Sequence, residues 1–330
     1  MLTTAGIAVG YVVAGLLLAG PVSFLLARAG WPARAPGPAL LLWQAVCLAA
    51  GFSVVGGLVL LSVAPAGHTL TEAIPTWFGS LFAGELRLPW WRWVCGALAA
   101  AISAVLLANL AWTTVLTVRR RRAHRRLVDL LTTPRSVARS ERPAVVHVLE
   151  SATAVAYTVP GWHPRVVVSA GLLDLLRPDE LTAVVEHERA HLAARHDLLT
   201  LPFQAWASAL GAVPGVRAAA RSVAELVEML ADDVAAGVTG RSAVAAAVAR
   251  VALSPGVVAE TGPVDGRPSG AVPRPGPGAV SADPSGPSAA TRVRRQLAPR
   301  SLPTGAVVGV LLAAFALLCL PASLLLIAWV

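Results

Sequence analysis

The chain has 330 residues, a formal net charge of +9, and 56% hydrophobic against only 14% charged residues. That balance excludes an ordinary soluble globular domain, in which roughly a quarter of residues are charged. The cysteines Cys47, Cys95 and Cys319 all sit in or at apolar runs, which excludes a disulfide framework and a cysteine-ligated metal site.

The first predicted element is an apolar run from about Ala5 to Leu26, followed by Arg28 and Arg34. It lacks the basic leader and small-residue cleavage site of a signal peptide, so it reads as a transmembrane helix. A second span runs from about Ala39 to Val63 and a third from about Trp93 to Val118. The loop between them carries Arg87 and Arg92 against Glu72 and Glu85, and ends in Trp90, Trp91 and Trp93, the aromatic anchor of a membrane interface. Directly after the third span comes the run Arg119-Arg120-Arg121-Arg122-Ala123-His124-Arg125-Arg126. Its position marks it as a topology signal and a contact for anionic lipid, and no direct nucleic-acid binding is expected.

Short β-prone runs follow: Val145 to Val148, Ala154 to Val159, and Val166 to Val168, with a turn at Pro160-Gly161. They predict a small β-sheet, with Gly171 to Leu176 leading to the next helix. Arg177-Pro178-Asp179-Glu180 is a helix start, with proline in the first turn and acids at the positive end of the dipole. No glycine or proline interrupts the stretch from Asp179 to Leu201.

Within this helix lies His187-Glu188-Arg189-Ala190-His191, an H-E-x-x-H string. Residues four apart share a helix face, so both imidazoles can reach one ion, and Glu188 is placed to take a proton from water. A catalytic zinc site needs a third protein ligand. Glu228 is the best candidate, with Glu225, Asp233 and His196 as fallbacks; His196 lies five residues past His191, roughly 140° around a continuous helix. Asp232 shares the Glu228 face, where a carboxylate can fix a histidine tautomer. Residues 201–215 are apolar but short and contain Pro202 and Pro214, which suits an amphipathic or re-entrant piece against the membrane. From about Ser254 to Ala298 proline, glycine, serine and alanine dominate, predicting a flexible linker. Arg292, Arg294, Arg295 and Arg300 then precede a fourth span, from about Gly305 to Val330.

The arginines predict a multi-pass cell-membrane protein with the N-terminus outside, residues 119–300 cytoplasmic and the C-terminus outside. The expected organisation is three transmembrane helices in 1–118, a domain carrying the H-E-x-x-H helix in 119–253, a linker in 254–300 and a transmembrane helix in 301–330.

The stretch from Val145 to Asp233 resembles the integral-membrane zinc peptidases of family M56, the BlaR/MecR group, and more distantly family M48. The likeness is carried by Ala156-Tyr157, by Arg165 to Leu173, by Asp179-Glu180-Leu181, by the helix through Arg195-His196-Asp197, and by Glu228-x-x-Ala231-Asp232. Three spans before the peptidase region and one after it also look like family M56. The resemblance implies an α+β membrane protein with four transmembrane helices and a cytoplasmic gluzincin-type peptidase domain. It implies Zn2+ on His187, His191 and Glu228, with Asp232 orienting a ligand histidine and Glu188 as the catalytic base. It also implies regulatory cleavage of a BlaI/MecI-like transcriptional repressor. Antibiotic receptors of that family carry a sensor after the last span; the sequence stops at Val330, so direct β-lactam sensing is not expected. Ala231 stands where those members usually have cysteine, a form nearer to M48. Tyr157 and His163 are chemically able to donate to an oxyanion, though both read more readily as plain sheet or loop residues. Two rival readings stand beside signalling: a broad quality-control membrane protease, and a non-catalytic zinc-binding receptor.

Overall fold

The structure is a computed structural model that describes residues 4–137, 144–159, 164–254 and 289–326. The predicted turn at Pro160-Gly161, His163 and residues 255–288 of the expected linker lie outside them. The described residues form two compact units. One is made of those within Met1–Trp112, Phe203–Ser222 and Leu302–Val330; the other of those within Thr113–Pro202 and Val223–Ser301.

The first unit is built on apolar helices. Helix α1 (Thr4–Leu17) passes through a π-turn (Leu18–Val22) containing Pro21 into α2 (Ser23–Arg28). Proline cannot donate to the helical ladder, and the wider turn around it is closed by Ser23 Oγ donating to the Leu18 carbonyl at 2.7 Å. Helix α3 (Pro36–Val63) packs against α1 and against α12 (Thr304–Leu326). Small residues allow the close approach: a Cβ on Gly15 would meet the Ala50 carbonyl at 2.7 Å, and one on Gly57 the Ala8 carbonyl at 2.7 Å. Helix α4 (Leu70–Phe82) starts at a reciprocal cap, Thr69 accepting from the Glu72 amide and Glu72 accepting from the His68 amide.

Helix α5 (Trp90–Leu131) has 42 residues and contributes to both units. The third span thus lies inside a helix that runs on through the arginine run, longer than the predicted 93–118. Four helices are long and apolar enough to cross a membrane: Thr4–Arg28, Pro36–Ala66, Trp90–Ala123 and Thr304–Leu324. Leu25, Phe52, Trp112 and Phe315 on them are exposed. Apolar surface on this scale is compatible with a multi-pass membrane protein.

Residues 203–222 belong to this apolar unit. They come from the end of α8 (His196–Ala209) and the start of α9 (Pro214–Thr239). The Asn109 side-chain amide of α5 donates to the Ala205 carbonyl and to Ser208 Oγ. A Cβ on Gly215 would fall 2.1 Å from the Ala19 carbonyl. This stretch, predicted as a piece against the membrane, is packed on the α1–α2 turn and α5.

The second unit holds a four-stranded mixed sheet in the order β1-β2-β4-β3: β1 (Thr132–Val137), β2 (Ala144–Leu149), β3 (Ala156–Val159) and β4 (Arg165–Ser169). β2 and β4 are parallel, and the outer strands are antiparallel to their neighbours. β1 was not predicted. Its Pro134 and Arg135 break any apolar alternation, and it forms an edge, where a missing donor is tolerated. Val146, Val148, Ala156, Val166 and Val168 from one sheet face share a core with Leu172 of α6 (Ala170–Leu175) and with Leu181, Val184 and Val185 of α7 (Pro178–Ala193). α6 starts tightly against the loop after β2: a Cβ on Gly171 would lie 2.0 Å from the Ala152 carbonyl. Gly171→Ala is therefore expected to destabilise the fold by about 2 kcal/mol through forced backbone movement, read as a lower midpoint in thermal unfolding.

Helix α10 (Arg241–Ala252) packs on α7 and on α11 (Ala289–Leu297). α11 lies within the stretch predicted as linker. Its residues hold polar side chains that reach a helix, as described next, and the loop composition ends before it begins.

Candidate metal centre

The predicted helix start is realised at Pro178, and a buried Glu180 anchors it. The Glu180 carboxylate accepts from the Arg177 amide at 3.0 Å and from Arg250 Nε at 3.0 Å, with Arg177 Nη2 2.9 Å away. This fixes α7, whose residues 183, 187 and 191 share one face at four-residue spacing.

That face meets α9. Ala183 shares a core with Ala235; His187 Nδ1 lies 3.0 Å from Asp232 Oδ1; His191 Nε2 lies 3.4 Å from Glu228 Oε1. Positions rise on α7 as they fall on α9, so the two helices run antiparallel here. Alanines at one end of the crossing let the helices approach closely enough for the polar pairs to form.

The result is a triangle of possible ligand atoms. The Nε2 atoms of His187 and His191 are 3.1 Å apart, and each is 3.4 Å from a Glu228 oxygen. Tetrahedral zinc with bonds of 2.0–2.1 Å spaces its ligands by roughly 3.3 Å, so the three donors are spaced to hold such an ion. Among the described residues these three form the group close enough to do so. Glu225 and Asp233 are not in it. His196 is not in it either; its Nδ1 instead stands 3.1 Å from His191 Nδ1.

Charge supports the same fit. Glu188 and Asp232 are 0% and 1% exposed, and Glu228 is largely buried. Arg292 of α11 reaches into this cluster, Nε donating to Asp232 Oδ2 at 2.8 Å and Nη2 to Oδ1 at 2.6 Å, with Nη1 3.4 Å from Glu228. The cluster thus gathers three acids, Glu188, Glu228 and Asp232, against one guanidinium, an acid-rich setting that suits a divalent ion. Buried charge without such compensation is costly.

The titration behaviour follows. Burial pushes His187 down, but Asp232 and Glu228 outweigh it and hold it up at about 9. Burial and then the neighbouring His187 charge push His191 down to about 3. Burial raises Glu228, yet His187 and Arg292 bring it down to about 2. Burial likewise raises Asp232, and the bidentate Arg292 contact overrides this, holding it far below the usual carboxylate range.

Arg292 escaped the sequence reading, which took it as a charge flanking the fourth span. The available signal was helical: Arg292 and Arg295 are three apart, on one side of a helix, and Arg295 pairs with Asp233 at 2.6 and 2.7 Å. Replacing Arg292 by methionine strands a buried carboxylate. A loss of roughly 3 kcal/mol is expected, measured as the unfolding midpoint of the metal-free protein against wild type.

Tyr157 does not join the site. It packs with Leu149, Val159 and Val167 in a cluster separate from the one that contains α7 residues, because neighbouring strand residues face opposite ways. Burial pushes its hydroxyl up to about 12.

No curated protein and no solved structure matches the chain. Residues 118–254 match the family model described as Peptidase family M48, the family the sequence resembles more distantly. The His187–His191–Glu228 group falls inside that stretch, and together they support a metallopeptidase family for this chain.

Proposed function

We propose that the protein is a membrane-embedded zinc endopeptidase that hydrolyses peptide bonds of a protein substrate. The observation that carries this is the ligand triangle of His187, His191 and Glu228, with Glu188 buried beside it on the same helix. When bound, zinc supplies a Lewis acid for water and for the scissile carbonyl.

The chain's own groups do the rest. Asp232 accepts the Nδ1–H of His187, which leaves the Nε2 lone pair for ligation. Glu188 takes a proton from the attacking water on a carboxylate oxygen and returns it to the leaving amide nitrogen. Arg292 keeps Asp232 ionised and aimed. The edge strand β3, paired on one side with β4 and packed against α7, offers its other side for an extended peptide to add as a further strand.

The distribution of arginines supports a cytoplasmic peptidase region. The resemblance to family M56 supports regulatory cleavage of a BlaI/MecI-like repressor. The match to the M48 model favours a second reading, a broad quality-control protease of the membrane. Cells with and without the chain distinguish them: accumulation of one intact repressor supports the first, and accumulation of many membrane-protein fragments the second. A Glu188→Gln trap that co-purifies no polypeptide from cells in which the wild type cleaves would count against both.

A further inference from the structure

The two ligand histidines are supported differently. His187 has a carboxylate, Asp232, at its Nδ1. At the Nδ1 of His191 stands another imidazole: His196 Nδ1 is 3.1 Å away, and the rings are perpendicular with centroids 4.8 Å apart. His196 is itself buried, at 4% exposure.

The chain makes a special turn to put it there. α7 ends with the Ala194 amide on the Ala190 carbonyl and the Arg195 amide on the Leu192 carbonyl. Arg195 then adopts φ +48°, a left-handed conformation that a non-glycine residue rarely takes. The reversal brings His196 back against His191, whereas an unbroken helix would carry it roughly 140° away. The next residue, Asp197, is tied to Arg121 of α5 at 2.5 Å, and the Leu198 amide closes onto the Arg195 carbonyl at 2.8 Å, so the start of α8 is held from both sides.

We propose that His196 is the positioning residue of His191, a role that rests on the zinc reading above. Two Nδ1 atoms at this distance share one hydrogen. His191 Nε2 faces His187 and Glu228, and a ligand nitrogen must offer a lone pair. His191 therefore carries its hydrogen on Nδ1 and donates it, and His196 accepts on Nδ1 while keeping its own hydrogen on Nε2. The two ligands are fixed in the same tautomer by unlike partners, a carboxylate for one and a neutral imidazole for the other.

The test uses the full chain, stripped of metal and titrated with Zn2+ against a chromophoric chelator. His196→Ala is expected to weaken binding by roughly 10- to 100-fold. His196→Asn keeps an acceptor oxygen where Nδ1 stood and is expected to bind within about threefold of wild type. Nitrogen-15 spectra of the zinc-loaded, histidine-labelled wild type should show His191 protonated on Nδ1 and His196 on Nε2, a signature that a merely space-filling residue would not fix. The inference is overturned if His196→Ala binds like wild type, if the asparagine variant is as weak as alanine, or if the spectra place the shared hydrogen on His196. If neither variant folds, the spectra alone decide. A wild-type chain that binds no stoichiometric zinc overturns the peptidase reading itself, and not merely the part given to His196.

Discussion

Glu188→Gln is expected to slow peptide hydrolysis by on the order of 10³-fold while leaving zinc binding unchanged. Glutamine is nearly isosteric, so the buried site keeps its shape, but the amide takes no proton from water. The side chain is fully buried next to His187, where bulk water is poorly placed to substitute as a base. Turnover of a quenched peptide library, with metal content measured on the same sample, gives the answer. Cleavage by the variant at the wild-type rate would remove Glu188 from the mechanism. Equal inactivity of both proteins, each holding zinc, would favour the non-catalytic receptor.

The second large effect concerns the ligands. His191→Ala or Glu228→Ala should weaken zinc binding by roughly three orders of magnitude, since structural zinc sites share about 10–16 kcal/mol among their ligands. A ligand present at a thousand times its Kd stabilises the folded state by about 4 kcal/mol. Chelation should therefore lower the unfolding midpoint of the wild type clearly and that of either variant scarcely at all. Equal sensitivity to chelator in all three proteins would place the metal elsewhere. Asp232→Ala should fall between these extremes, because it removes the group that aims His187 and keeps all three donors.

Much of the site was legible because it obeys helical arithmetic. His187 and His191 are four apart, Glu228 and Asp232 are four apart, and the structure lays these two faces together. The apolar runs were legible for a similar reason, since length and lack of charge dominate a membrane helix. What composition could not give was contact across long separations. Arg292 meets Asp232 from 60 residues away, and its helical spacing with Arg295 does not by itself name a partner. His196 was judged by its angle on a continuous helix, and one left-handed residue, Arg195, made that angle irrelevant. β1 was hidden because an edge strand tolerates proline and charge that a central strand would not.

The Arg292 contact bears on modularity. The stretch that matches the family model ends at residue 254, before the guanidinium that neutralises Asp232. A fragment trimmed to those boundaries would keep His187 beside Asp232 but lose the bidentate guanidinium on its other side. The candidate metal centre is thus not a portable cassette: it is sewn shut by a stitch from further down the polypeptide, and any transplant must carry that stitch along.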